Sequence, residues 1–345
     1  MKRVCVIGHF GLGEELLNGQ TIKTKIVTKE LERQLGKKQV MKIDTHGGIK
    51  ALVRLPFQVL SALKNCKNVI ILPAHNGLRI ITPLLLIENK LFRCQLHYVV
   101  IGGWLPSFVE SKKILRRQLK QFNHIYVETS TMKKALQKQG FKNIVIMPNC
   151  KELHILDESE LVYNSSEPFK LCTFSRVMKE KGIEDAVNAV KAVNEKLGRV
   201  VYELDIYGQV DSEQVEWFDE LKKEFPEFVH YKGLVPFDKT VEVIKNYYLL
   251  LFPTRFFTEG IPGTIIDAYA AGVPVVASKW ESYSDIINRS CGIVYPWNDN
   301  TAFQKVLEKL LYDKEIVFSL KSNVIKQANR YLPPSALEQL IQRVQ

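Results

Sequence analysis

The chain has 345 residues, 46% hydrophobic and 25% charged, with 19 glycines and 14 prolines, a usage that belongs to a folded protein of one to three domains and excludes disorder, collagen and coiled coil. Six cysteines (Cys5, Cys66, Cys94, Cys150, Cys172, Cys291) form no C-x-x-C pair and no histidine-partnered cluster, so neither a disulfide framework nor a zinc site is indicated and a reducing compartment is expected. The net charge of +11 is uneven: residues 1–150 hold 25 Lys and Arg against 8 Asp and Glu, a net of +17, and the remainder is −6. A basic half of this kind is expected to meet an anion, whether nucleic acid, a membrane surface or a phosphorylated ligand.

In chain order, MKRVCVIGHF enters directly into a strand pattern, with no apolar leader. Short Val- and Ile-rich runs suited to buried parallel strands follow at VCVI (4–7), QVMKI (39–43), NVIIL (68–72), HYVVI (97–101), HIYVE (124–128) and NIVIM (143–147). Helical patterns lie between most of them. TIKTKIVTKELERQL (21–35) sets Ile22, Ile26, Leu31 and Leu35 near one face, and the longest greasy stretch, LRIITPLLLI (78–87), is far below a bilayer span. SFVESKKILRRQLKQF (107–122) reads as one helix with a cationic row of Lys112, Arg116 and Lys120, Lys113 and Arg117 beside it, and Phe108, Leu115, Leu119 and Phe122 on the adjoining face.

A polar stretch, DESELVYNSSEPF (157–169), reads as a linker, after which the alternation resumes. Strands are expected at 170–174, 202–206, 228–231, 248–252 and 274–278, helices at 182–197, 213–224, 263–271 and 300–312, and a last amphipathic helix at 335–345. The implied architecture is α/β, two Rossmann-like doubly wound domains facing a central cleft: 1–155, with 331–345 packing back on it, and 156–330.

The most structured segment is FFTEGIPGTIIDAYAAGVPVVAS (256–278), a loop carrying Glu259, a helix starting near Pro262, and a strand. Pro262 suits a first helical position, and Gly263 and Thr264 then leave free amides at a positive helix end able to hold a phosphate. Asp267 follows within the first turns of that helix.

This segment resembles the signature of the family 4 retaining glycosyltransferases: a Glu, seven residues, a second acid, then A-x-A-x-G-x-P-V-V-A-S, matched here by Glu259, Asp267, Ala268, Ala270, Gly272, Pro274, Val275 and Ser278. FSRVMKEKGIEDAVNAV (174–190) is similar to the family's second motif, with Arg176 and Lys181 in place, and YVETSTMKKALQKQGFKNIVIMPNC (126–150) to the last elements of its N-terminal domain, ending in Pro-Asn. The resemblance spans nearly the whole chain and implies the GT-B fold. It implies an enzyme of the type that builds capsular or other surface polysaccharides, moving a hexose from a nucleotide-diphosphate sugar to a saccharide acceptor, expected to be a lipid-linked precursor, with retention and without cofactor or metal.

The same resemblance implies roles. Glu259 would contact the transferred sugar, Asp267 the ribose, and Arg176 and Lys181 the diphosphate, so Glu259, Arg176 and Lys181 are the catalytic candidates. Gly208, Gly233 and Leu234 would line the nucleoside pocket, Gly263 and Thr264 the phosphates, and Gly19 and Gln20 of NGQT (18–21) would approach the β-phosphate from the N-terminal domain. On the sugar or acceptor side stand His75, Gly102, Gly103 and Trp104. The sequence departs from the family pattern in three places: Asp267 replaces the usual Glu, IGGWLP (101–106) stands where relatives place a His, and Cys150 stands where Gly commonly follows Pro-Asn.

Three other readings compete. GHFGLG (8–13) with Asp44 suggests a nicotinamide dehydrogenase, but the glycine order is wrong for that fingerprint. A basic nucleic-acid binder lacks a reading module, so no nucleic acid is expected as a partner. A sugar-nucleotide epimerase of the same fold differs by whether label reaches an acceptor. The expected location is the cytoplasm, with the basic domain peripheral on the inner face of an anionic membrane through residues 107–122.

Overall fold

A computed structural model describes residues 1–13 and 19–345. The chain divides into two compact units, 1–152 together with 331–345, and 153–330. Each is built on a six-stranded sheet whose paired strands all run parallel.

The first unit runs β1 (Lys2–Gly8), α1 (Gly19–Leu35), β2 (Val40–Asp44), α2 (Gly48–Asn65), β3 (Cys66–Ile71), α3 (His75–Phe92), β4 (Gln95–Val99), α4 (Leu105–Glu110), α5 (Lys113–Leu119), β5 (His124–Val127), α6 (Ser130–Lys138) and β6 (Ile144–Ile146), with strand order β2-β1-β3-β4-β5-β6. Its strands are apolar on both faces because both are covered. Cys5, Ile7 and Ile71 pack with Leu55, Val59, Leu78, Leu85, Val109, Leu119 and Leu136 from α2 to α6. Val4, Val6 and Ile70 face α1 through Ile26, Val27 and Leu31, and there the C-terminal residues Ala336, Leu337, Leu340, Ile341 and Val344 join the core.

The second unit runs β7 (Phe169–Phe174), α7 (Ile183–Leu197), β8 (Tyr202–Tyr207), α8 (Val215–Lys223), β9 (Val229–Gly233), α9 (Thr240–Ile244), β10 (Leu249–Phe252), α10 (Gly263–Ala270), β11 (Val275–Ser278), β12 (Gly292–Tyr295), α11 (Asn300–Tyr312) and α12 (Lys314–Ala328), followed by α13 (Pro333–Ala336) and α14 (Glu338–Val344) of the first unit. Strand order is β12-β11-β10-β7-β8-β9. Each sheet therefore reverses direction once, between β1 and β3 and between β7 and β10, and at such a point the loops leaving the carboxyl ends diverge and open a crevice.

Several sequence expectations change in detail. The helix expected over 107–122 is broken at Ser111 and Lys112 into α4 and α5, and Leu115, Leu119 and Phe122 belong to the core. Three of its cations are turned to nearby acceptors: Lys112 donates to the Phe108 carbonyl at 3.0 Å, Lys120 to Gln139 at 2.9 Å and Arg116 to Glu110 at 3.5 Å. The C-terminal helix starts at Pro333 and is split at Leu337. Pro262 is the N-cap of α10, extended at φ −68° and ψ 130°, not its first helical residue, and its carbonyl accepts from Ile265 at 3.1 Å. Strand β12 and helices α9 and α12 lie outside the elements read from the sequence. All six cysteines are buried and unbridged, and no described helix is long and apolar enough to cross a membrane.

One buried ion pair ties α1 to the end of β5. Lys23 Nζ meets Glu128 Oε1 at 2.5 Å with both side chains 3% exposed, and Oε1 also accepts from the Gly102 N–H at 3.1 Å. Breaking such a pair from one side leaves an uncompensated charge and costs about 3–5 kcal/mol. Glu128→Ala is therefore expected to lower unfolding stability by about that amount, and Lys23→Met with Glu128→Leu to recover most of it, as measured by urea denaturation.

Candidate functional site

In the second unit the carboxyl ends of β7 and β10 send out the two loops that matter most. Residues 175–182 leave β7, and residues 253–262 leave β10. Lys181 from the first and Glu259 from the second meet across the reversal point. The ammonium donates to both carboxylate oxygens at 3.0 Å, with the side chains 16% and 17% exposed. The Phe256 and Phe252 rings lie 5.1 and 5.7 Å from the same ammonium. Two sequence candidates 78 residues apart thus form one half-buried pair.

Backbone contacts fix the first loop from both sides. Gly182 has φ 69°, and a Cβ there would overlap the Pro253 carbonyl oxygen. Gly208 has φ 136°, and a Cβ there would overlap the Ser175 carbonyl oxygen. Both glycines are required by close approach as well as by dihedral angle. Gly208 N donates to Gly233 O at 2.9 Å and the Tyr231 hydroxyl donates to Gly208 O at 2.8 Å, so Gly208 and Gly233 stand together. Leu234 next to them is exposed. Arg176, on the same loop, reaches outward to Asp211 at 3.4 Å, an exposed pair, and does not join Lys181 in holding Glu259.

Helix α10 begins just beyond Glu259. Its first residues, Gly263 and Thr264, are half-buried, and the Thr264 hydroxyl is shut off from solvent with no partner among the described residues. An unmatched hydroxyl at a positive helix end suits an anionic ligand. Asp267, one turn on, is 3% exposed and has interactions of its own within the protein.

In the first unit a cavity of about 390 Å³ lies at the β1/β3 reversal. Its polar rim includes His9, Gln20, Thr45, His75 and Asn76, and its walls Leu52, Leu55, Ile80 and Ile81. Gln20 Nε2 donates to the Leu72 carbonyl at 3.1 Å, while Gly19 is the first residue of α1 with open space around it. Asn18 of the NGQT motif lies outside the described residues. His9 bridges Thr21 Oγ1 at 2.8 Å and His46 at 3.1 Å.

His75 stacks on Trp104 with ring centroids 3.8 Å apart, and Phe108 meets both rings edge-on. Burial, then Arg79 and Lys112, push the imidazole below its usual range. Trp104 Nε1 donates to Ile101 O at 2.7 Å. With Gly102 held by Glu128, the Gly102, Gly103 and Trp104 loop is anchored at both ends. Asp44 accepts from Phe10 and His46 at Oδ1 and Leu12 at Oδ2, each at 2.9 Å. Burial pushes its carboxyl up, but the amides of Leu12, His46, Phe10 and Gly11 outweigh this and hold it below the usual carboxylate range. Both of its oxygens serve loop amides, which leaves the dehydrogenase role without its acid.

Two positioning pairs have no motif in the sequence. Arg255 grips Asp185 with two bonds of 2.8 and 2.6 Å, its own N–H donates to Glu180 O at 2.8 Å, and Asn300 adds a third contact to Asp185 at 2.9 Å. The bidentate partner raises the guanidinium further above its ordinary value. This clamp joins the Lys181 loop to the Glu259 loop. Lys23 with Glu128 is the other. Its one available signal was a lysine beside Thr24 and Val27 on the face of α1 that packs inward.

The two-sheet architecture with its reversal points defines a GT-B fold. Over its whole length the chain is similar to Anabaena HepE solved with UDP (TM-score 0.77, 13% identity, covering 100% of this chain and 99% of that one). It is likewise similar to sucrose-phosphate synthase from Thermosynechococcus elongatus (TM-score 0.74, 14% identity, 100% and 99%). Residues 168–313 match the family described as Glycosyl transferases group 1. Amylovoran biosynthesis glycosyltransferase AmsK of Erwinia amylovora is 20% identical over 187 residues, 52% of this chain and 46% of that protein, so the match spans about half of that relative's length. The chain accordingly has a GT-B fold, and most of its second unit matches the glycosyl transferases group 1 model.

Gly208→Ala tests the close approach behind this geometry. A left-handed backbone costs about 1–2 kcal/mol and overpacking against a carbonyl about 1–3 kcal/mol more. The variant is expected to melt lower by their sum, whereas Gly198→Ala, at φ 62° with open space around it, is expected to show only the dihedral cost.

Proposed function

We propose that the chain transfers a hexose from a nucleoside-diphosphate sugar to a saccharide acceptor, a lipid-linked polysaccharide precursor, with retention of configuration and without a metal. The observation that carries this reading is the Lys181 and Glu259 pair at the reversal point of the second sheet, within the residues that match the group 1 model and beside the open start of α10. The neighbours solved with UDP are consistent with a uridine nucleotide as donor.

In this reading Lys181, Arg176 and the amides of Gly263 and Thr264 take the diphosphate, and the Thr264 hydroxyl finds its partner there. Gly208, Gly233 and Leu234 border the nucleoside, Asp267 serves the ribose, and Glu259 orients the sugar hydroxyls. As the anomeric bond breaks, negative charge grows on the diphosphate, where fixed cations and helix-end amides stabilise it without reorganising. The leaving phosphate then assists loss of the acceptor proton on the same face of the sugar. The cavity of the first unit, with Gln20, His75 and the Gly102, Gly103 and Trp104 loop near its polar side, receives the acceptor.

The test is a panel of UDP-, GDP- and dTDP-sugars, scored for nucleotide release with and without saccharide acceptors, with chelator added in parallel. Label reaching the acceptor supports transfer, and an isomerised donor with no transfer would identify an epimerase instead. The anomeric configuration of the product, read by NMR, decides retention.

Glu259→Ala is expected to lower turnover about 10²–10³-fold while nucleoside diphosphate still binds, because Lys181 is released for the phosphates. Lys181→Ala is expected to weaken both, by about 1.5–3 kcal/mol for a charge-assisted bond. Wild-type turnover in the Glu259 variant would remove the assignment.

Asp267→Glu restores the family's usual acid in a pocket that leaves the present side chain 3% exposed. The added methylene is expected to overpack the start of α10, at about 1–3 kcal/mol, and to weaken nucleotide binding in calorimetry. Tighter binding would show that the shorter acid is merely tolerated.

A further inference from the structure

Helices α2, α3 and α5 lie side by side on one face of the first sheet, with α3 in contact with both others. Their inner faces build the core. Their outer faces are apolar too, and no described residue covers them. On α2, Val53, Phe57 and Leu60 recur at i, i+4 and i+7, on α3 Ile80, Ile87 and Leu91 recur at i, i+7 and i+11, and α5 adds Ile114. Phe57, Leu91 and Ile114 are 76%, 81% and 74% exposed. Scattered single apolar residues on a surface need no explanation, but a row on each of three adjacent helices does.

The charges on the same helices are of one sign. Lys50, Arg54 and Lys64 on α2, Arg79 and Lys90 on α3, and Lys113, Arg116 and Arg117 on α5 stand against Glu88 alone. Glu88 is half-buried, and burial pushes its carboxyl up. A groove of about 730 Å³ between α3 and α5 is lined by Arg79, Lys112, Lys113, Ile114, Pro83 and Gln118, among others. Protein interfaces collect their apolar side chains at a centre and their charges at a rim. Here long cations alternate with apolar side chains, the arrangement that lets cations rise to phosphates while apolar groups enter the acyl boundary.

We infer that the α2, α3 and α5 face seats the protein on an anionic lipid bilayer, with Phe57, Leu91 and Ile114 at the headgroup boundary and Arg54, Arg79, Lys90, Lys113 and Arg117 on lipid phosphates. This names the surface from which the proposed lipid-linked acceptor is met, and in that respect it rests on the glycosyl transfer reading. Leu52 and Ile80 line the acceptor cavity and are themselves exposed on these helices, so the apolar face continues into it. The contact thus extends beyond residues 107–122, whose Leu115, Leu119 and Phe122 are core, to α2 and α3, and keeps only the outer side of α5.

The experiment is co-sedimentation of the full chain with phosphatidylglycerol/phosphatidylcholine vesicles and with phosphatidylcholine alone, at low and high salt. Wild type is expected to sediment with anionic vesicles, several-fold less at high salt and weakly with neutral ones. Phe57→Ser with Leu91→Ser is expected to lower apparent affinity at least 10-fold with circular dichroism unchanged, since both side chains are solvent-exposed. Arg54→Gln with Lys90→Gln should narrow the preference for anionic vesicles. Unchanged sedimentation of the Phe57 and Leu91 variant, no sedimentation of wild type, or a dimer that this variant dissolves would each overturn the inference. Nucleotide-sugar hydrolysis, measured in parallel without vesicles, keeps the two readings apart: hydrolysis without sedimentation overturns only the docking face, and sedimentation without hydrolysis only the glycosyl transfer.

Discussion

Parallel strand order is the constraint on which the rest depends. A parallel sheet is extended by crossovers, and when the chain returns to the other side of its first strand, two adjacent strands send their loops in opposite directions. The protein does this twice, at β1/β3 and at β7/β10. At the second reversal the diverging loops deliver Lys181 and Glu259 to one point. At the first they leave the cavity lined by His9, Gln20 and His75. Neither site requires an unusual element, only that ordinary βα units be ordered this way.

The reversal makes room, and separate contacts make the room rigid. Gly182 and Gly208 let the β7 loop lie against backbone that a side chain would displace, and Arg255, whose N–H donates to Glu180 O while its guanidinium grips Asp185 at the start of α7, joins that loop to the one from β10. Loops held by one bidentate pair and packed against two backbone carbonyls lose little freedom when a ligand arrives. Such preorganisation is what allows fixed cations to stabilise developing charge. In the first unit the buried Lys23 and Glu128 pair performs the equivalent task for the loop at Gly102.

The sequence made the elements legible where periodicity was strong, since buried parallel strands are continuous apolar runs: all eleven expected strands overlap observed ones, eight of them by four residues or more and β4, β6 and β9 by three. It failed where local pattern and tertiary packing diverge. The amphipathic pattern at 107–122 continues through a break at Ser111 and Lys112, because both halves bury the same face and the pattern does not register the turn between them. GIVY (292–295) is too short a run to stand out, yet it pairs with β11 at four positions. Glu259 and Lys181 were legible through their motifs. Asp185 with Arg255 and Lys23 with Glu128 were not, because pairing over 70 and 105 residues leaves no periodic trace.

The arrangement of Lys181 also bears on the order of events. An ammonium has three protons, and two are directed at the Glu259 oxygens. In the proposed reaction the third is available to a phosphate oxygen without breaking the pair, so a diphosphate can enter while Glu259 stays oriented. As charge accumulated on the leaving phosphate of the proposed reaction, the ammonium would be drawn toward it, and the Glu259 carboxylate would be released to accept more strongly from the sugar hydroxyls. The same ion pair that holds the two loops together in the absence of donor would then transmit charge development at the phosphate to the group that orients the sugar.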